Sequence, residues 1–190
     1  MRVVVVGVGA LGSHVVQLVR NLDIKLVLVD FDRVEQRNVQ SQFHGKPSVG
    51  KSKVQSLVGA MQFLFGLKTE ANPHKLTADN VEAILGKADL VLDCLDNGES
   101  RRLVQRFVRD KGLPCLHGAL SADGEFGLVL WDEDFIIDDE DVQGQATCEG
   151  GEFLPFIGVV SALMALAVQR FVVEDCKVGF NASPSGAADV

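Results

Sequence analysis

Arg2-Val3-Val4-Val5-Val6-Gly7-Val8-Gly9-Ala10-Leu11-Gly12 opens the chain with four consecutive valines that run straight into three spaced glycines. A valine run without a polar face is expected of a strand covered on both sides by helices in a parallel sheet. The glycines follow the pattern G-x-G-x-x-G. Gly7 permits a tight turn, Gly9 lets backbone approach a phosphate, and Gly12 lets the next helix pack closely. The unpaired N–H groups and dipole at the start of that helix favour an anion. Leu11, Val15, Val16, Leu18 and Val19 extend the apolar face of the helix. A second apolar run, Lys25 to Val29, ends in Asp30, where the ribose hydroxyls of a nucleotide would lie. An adenine nucleotide is the expected ligand.

With 190 residues, 47% of them hydrophobic, the chain reads as one domain over residues 1–180, with residues 181–190 a small, polar, disordered tail. No separate substrate domain is expected. A net charge of −8 argues against nucleic acid as a partner, because binding one depends on clustered basic residues. The chain enters a core strand at once, so no signal peptide is expected. The most apolar later stretch, Ile157 to Val173, is interrupted by Gln169 and Arg170. No membrane contact and a cytoplasmic location are expected. The cysteines at 94, 115, 148 and 176 form no C-x-x-C pair, so no zinc site is expected.

Residues 31–50 lose the apolar period and form a long polar connection, a length that suggests a functional loop. Val54, Leu57, Val58, Met61 and Leu64 then mark a helix with Lys51 and Lys53 at its start. Cations there oppose the helix dipole unless an anion sits between them and the helix end. A short third strand within 67–75 and a helix capped by Asp79 or Asn80 follow. The run Ala88 to Asn97 is a clear strand. It carries Asp93 and Asp96 at its C-terminal end, the edge where open α/β sheets bind ligands. Carboxylates beside a polyphosphate require a cation between them, and magnesium is the natural one. The competing reading makes Asp96 or Asn97 a turn or cap residue.

Leu103, Val104, Phe107 and Val108 stripe another helix, ended by Gly112 and Pro114. Cys115 to Ala119 is strand-like, and Ser121-Ala122-Asp123-Gly124 turns it into Glu125 to Trp131. The fold class is therefore α/β: a Rossmann-like half with parallel strands, followed by an antiparallel half in a mixed sheet. Asp132 to Asp141 holds seven carboxylates in ten residues and reads as a solvated loop. Ile157 to Phe171 is an apolar helix for the core or a subunit interface. Cys94 reads as packing, and His117 as a hydrogen-bonded core histidine rather than a base.

Five spaced motifs now coincide: Gly7/Gly9/Gly12, Asp30-Phe31-Asp32-Arg33-Val34, Asn38-Val39-Gln40-Ser41-Gln42, Gly50-Lys51-Ser52-Lys53, and Asp93-Cys94-Leu95-Asp96-Asn97 with Arg101. The chain resembles the ThiF/MoeB/HesA family, the bacterial relatives of ubiquitin-activating enzymes. The resemblance implies adenylation, in which the glycine-ended C-terminus of a small ubiquitin-fold or sulfur-carrier protein attacks ATP. It assigns phosphate to the glycine turn, ribose to Asp30, and the triphosphate to Asn38, Gln42 and the catalytic Lys53, with Asp32 and Asn97 in the matched motifs. Asp96 would bind magnesium. Cys148 would take over the activated carboxyl group, unless it is an inert thiol whose pKa Glu149 and Glu152 raise. A homodimer or heterodimer is also implied.

Two departures bear on activity. Ser41 stands where the family has an arginine, with Arg33, Arg37 or Lys46 as candidates to compensate. No counterpart of the family's N-terminal arginine segment is expected. Two alternatives stay open: an NAD-dependent oxidoreductase sharing the glycine turn and Asp30, and an inactive nucleotide-binding scaffold.

Overall fold

The computed structural model describes residues 1–137 and 151–189. One eight-stranded sheet runs in the order β3-β2-β1-β4-β5-β6-β7-β8. Its parallel part is β1 (Arg2–Val6), β2 (Lys25–Val29), β3 (Glu70–Asn72), β4 (Leu90–Asp93) and β5 (Cys115–Leu120). From there β6 (Gly127–Trp131), β7 (Phe180–Ser183) and β8 (Gly186–Asp189) continue antiparallel. The mixed α/β sheet expected from sequence is what forms.

The valine run explains why β1 is central. Val3 and Val5 enter one core, with α1 (Ala10–Leu18), α2 (Lys53–Phe65) and α5 (Leu154–Glu174); Val4 and Val6 enter the other, under α3 (Val81–Leu85) and α4 (Gly98–Lys111). Residues 3 to 6 are at most 1% exposed. Alternate side chains therefore serve opposite layers, and no polar residue fits either.

Three expectations are corrected. The tail is not disordered: β7 and β8 pair as a hairpin, and Phe180 and Ala182 enter the core. Small residues suit an edge hairpin as well as a frayed end, so composition alone misread it. Leu64 is exposed because α2 buries only Lys53, Val54, Leu57 and Met61. In the acidic stretch, Asp132 is buried and bonded to Arg109, with Arg109 Nε 2.7 Å from its Oδ2. Residues 138–141 and Cys148 lie outside the described residues.

The helix α5 is long and apolar enough to cross a bilayer by length and composition. Its Phe156, Ile157, Val160, Met164, Ala167 and Val168 instead belong to the core that α1 and the sheet share.

Candidate nucleotide site

The C-terminal ends of β1, β2 and β4 meet at the point where the strand order reverses, the place at which open α/β sheets form a crevice. Gly7 turns there with φ 88°, and a Cβ on it would lie 2.8 Å from the carbonyl oxygen of Cys94. A Cβ on Gly12 would lie 1.9 Å from the Gly7 oxygen, so α1 can start this close only without a side chain. At Gly9 the nearest atom to such a Cβ is Gln42 Nε2, at 3.9 Å. The backbone there is open to an approaching group, and the first-turn N–H groups of α1 lack helical partners.

Asp30 braces this turn. One carboxylate oxygen accepts the Val8 N–H at 2.9 Å, and the other accepts the Asp32 N–H at 2.8 Å. Burial pushes the Asp30 carboxyl above its ordinary pKa; Lys53 and the two backbone donors oppose that push without cancelling it. The other pole of the Val8 peptide is held by His44, whose Nε2 lies 3.0 Å from the Val8 oxygen. Burial lowers the pKa of His44, and the cation of Lys53 adds to that.

Lys53 is the first residue of α2, and its ammonium lies 3.0 Å from Asp32 Oδ2. Its side chain is only 9% exposed, so the charge is aimed inward rather than solvated. Asn38 sits in a short 3-10 helix, Gln36–Gln40, where its side chain accepts the Glu35 N–H at 2.8 Å. Gln42 follows and is buried, with Oε1 unpartnered among the described residues. Ser41 is wholly buried, and its carbonyl meets His14 Nε2 at 3.1 Å. Of the candidates to replace the arginine, Arg33 donates to the Gly50 oxygen and Arg37 pairs with Glu35.

At the end of β4 the two carboxylates separate in character. Asp93 is fully buried; Asp96 is exposed and bonds to none of the described residues. Asn97 caps α4, accepting the Ser100 N–H at 2.9 Å. Asp93 lies at the centre of a polar cluster beneath α4. Its Oδ2 meets Arg101 Nη1 at 3.2 Å and His117 Nδ1 at 2.7 Å, and its Oδ1 accepts the Leu95 N–H at 3.0 Å. His117 Nε2 lies 3.1 Å from Asp132 Oδ1, and Phe135 stacks on the imidazole at 4.3 Å and 2°. Burial alone would raise the Asp93 pKa, but Arg101 and the His117 hydrogen bond hold it below the ordinary carboxylate value. Cys94 packs against Met164, and burial raises its thiol pKa.

The glycines, Asp30, Asp32, Lys53 and Gln42 thus gather around one turn, with Asp96 and Asn97 on the neighbouring strand end. Sequence reading assigned no role to His44 or Asp132. His44 stands in the polar connection of residues 31–50, and such a connection hides which side chains turn inward. No cluster of three or more His, Cys, Asp or Glu side chains converges among the described residues. Magnesium fits such a site only by taking most of its ligands from phosphate oxygens and water, its usual habit.

The chain belongs to the ThiF family, whose model matches residues 1–185. Among its relatives, the SAMP-activating enzyme E1 of Haloferax volcanii is 36% identical over 125 residues, covering 63% of this chain and 45% of that protein. The molybdopterin-synthase adenylyltransferase of Escherichia coli is 30% identical over 186 residues, covering 87% of this chain and 70% of that protein. Both names describe activating or adenylylating proteins rather than oxidoreductases. The crystal structure of E. coli MccB with ATP shares the fold, with a TM-score of 0.80 at 14% identity; it is covered over 62% of its own length and the whole of this chain.

Proposed function

We propose that this protein uses ATP to adenylate the C-terminal carboxylate of a small ubiquitin-fold or sulfur-carrier protein. The observation that carries the proposal is the joining of an open glycine turn to an inward-aimed lysine, in a chain of the ThiF family. A carboxylate oxygen of the carrier attacks the α-phosphorus, the bond from that phosphorus to the bridging oxygen breaks, and pyrophosphate leaves. The glycine turn and the start of α1 receive phosphate oxygens. Asp30 holds the turn and keeps lone pairs for ribose hydroxyls. Lys53 supplies positive charge, and Asn38 and Gln42 supply amide groups for orientation. Such displacements depend on positioning and charge more than on covalent help. Asp96 is the residue that would hold magnesium, which would supply positive charge against the phosphates.

In a second step of the same proposal, the Cys148 sulfur bonds to the acyl carbon and AMP leaves. Its position in the family pattern supports this. The partner is a carrier ending in glycine, and the protein acts as a dimer in the cytoplasm. On α5, Val159, Leu166 and Val173 lie at intervals of seven residues, 44%, 40% and 68% exposed, which supports a helix-mediated subunit contact. Cys94, Cys115 and Cys176 are free thiols, which suits a reducing compartment.

The test is thermal unfolding with ATP–magnesium and with NAD. A ligand at ~100 times its dissociation constant stabilises the native state by about 2.7 kcal/mol. ATP–magnesium should raise the midpoint and NAD should not; the reverse would restore the oxidoreductase reading. Cys148→Ser should retain carrier-dependent pyrophosphate release and lose any thiol-sensitive conjugate. Loss of both activities would remove the separate second step.

A further inference from the structure

The polar cluster beneath α4 does more than join a helix to the sheet. Leu95, the residue before Asp96, is held at both poles of its backbone. Its N–H donates to Asp93 Oδ1 at 3.0 Å, and its carbonyl accepts from Arg101 Nη2. The same Nη2 reaches the Gly118 oxygen at 2.7 Å, while Nη1 meets Asp93. Arg101 therefore ties the β4–α4 connection to β5 through one planar fork, which a lysine cannot reproduce. On the other side of Asp96, Asn97 is fixed as the cap of α4.

Asp93 is held in turn by His117, and His117 by Asp132, which Arg109 grips from two turns further along α4. Phe135 covers the imidazole, and its ring centre lies 5.4 Å from the Arg101 guanidinium carbon. The result is an exposed carboxylate without a described partner, on backbone pinned before and after it. A carboxylate that must meet a cation in one position needs this kind of support.

The geometry points to Arg101 and Asp93 as positioning residues that set Asp96 for its cation, with His117 and Asp132 holding Asp93. This inference rests on the ATP–magnesium reading given under Proposed function. It assigns the arginine of the fifth motif to the backbone beside Asp96 rather than to phosphate.

Calorimetry tests it by measuring ATP affinity with and without magnesium, alongside urea unfolding, for wild type, Arg101→Lys and Val108→Ala. Val108 is a core residue of α4 outside the polar cluster. In Arg101→Lys, the gain in affinity that magnesium confers should shrink about tenfold, as losses of supporting partners around metal ligands do. Affinity without magnesium should stay at the wild-type value. Val108→Ala should lose stability and keep the full gain. An undiminished gain in Arg101→Lys, or an equal loss in Val108→Ala, would reduce the cluster to a structural staple.

If Arg101→Lys does not fold, Arg109→Lys takes its place. A smaller loss of the magnesium gain supports the relay, and no loss overturns it. A wild-type protein that binds ATP with no magnesium gain would refute the magnesium assignment on which this inference rests, and one that does not bind ATP would refute the nucleotide-site reading itself. A normal wild-type gain that Arg101→Lys preserves would refute only the positioning role.

Discussion

Two polar regions a few residues apart on neighbouring strand ends are built on opposite terms. Beneath α4, the side chains of Asp93, Arg101, His117 and Asp132 are all spent on one another or on backbone. Around the glycine turn, groups are left over: Gln42 Oε1 and His44 Nδ1 have no partner among the described residues, and Asp96 is exposed. Burial of unpaired polar atoms costs free energy, so such atoms persist where something else repays them. On the proposed function, the contrast separates a region that holds shape from one whose leftover groups would serve the nucleotide.

The contrast breaks first, and hardest, at Arg101. Arg101→Ala leaves the buried Asp93 carboxylate short of its cation and should destabilise the fold by about 3–5 kcal/mol in urea unfolding. A loss under about 1 kcal/mol, the range of exposed ion pairs, would show that the cluster is not a structural unit.

The next effect belongs to the turn. Gly12→Ala drives a methyl group into the Gly7 oxygen and should cost about 1–3 kcal/mol while removing the thermal response to ATP–magnesium. A variant of normal stability that still responds to ATP would mean that the close approach of α1 is dispensable.

The pH behaviour sharpens the comparison, because the two aspartates shift in opposite directions. Asp93 is held below its ordinary value, so its stabilising contribution is present above the unfolded carboxylate pKa and fades as pH falls through its lower folded value. Asp30 is raised. Its contribution is full below the unfolded pKa and fades as pH rises through the folded one. Carboxyl carbon shifts followed by NMR should therefore show Asp30 titrating above Asp93. The opposite order would contradict the assignment of Asp30 to a desolvated turn and Asp93 to a cationic cluster.

The smallest effect on stability is expected at Asp96. Asp96→Ala should change the unfolding free energy by less than about 0.5 kcal/mol, as surface substitutions do, while abolishing the response to magnesium. A large destabilisation would move Asp96 into the structural region.

The two regions were not equally legible in the sequence. The glycine spacing, the valine run and Asp30 announce a turn at a strand end, because each residue type there answers a backbone requirement. Asp93 and Arg101 were visible as motif members, yet their roles were not: the strand-end position put Asp93 with Asp96 at the ligand edge, whereas burial on Arg101 and His117 takes it out of that edge. Asp132 was misread for a related reason. Seven carboxylates in ten residues describe a solvated loop on average, whereas Arg109 buries this one. The tail failed in the same way, since pairing between β7 and β8 depends on partners that composition does not reveal.

The central claim is tested most directly by isotope exchange between pyrophosphate and ATP. It should be run with a panel of ubiquitin-fold carriers ending in Gly-Gly, on wild type and Asp96→Ala. The account predicts exchange that requires a carrier and magnesium and disappears in Asp96→Ala. Tight ATP–magnesium binding with no exchange for any carrier would contradict it and make this protein a nucleotide-binding scaffold.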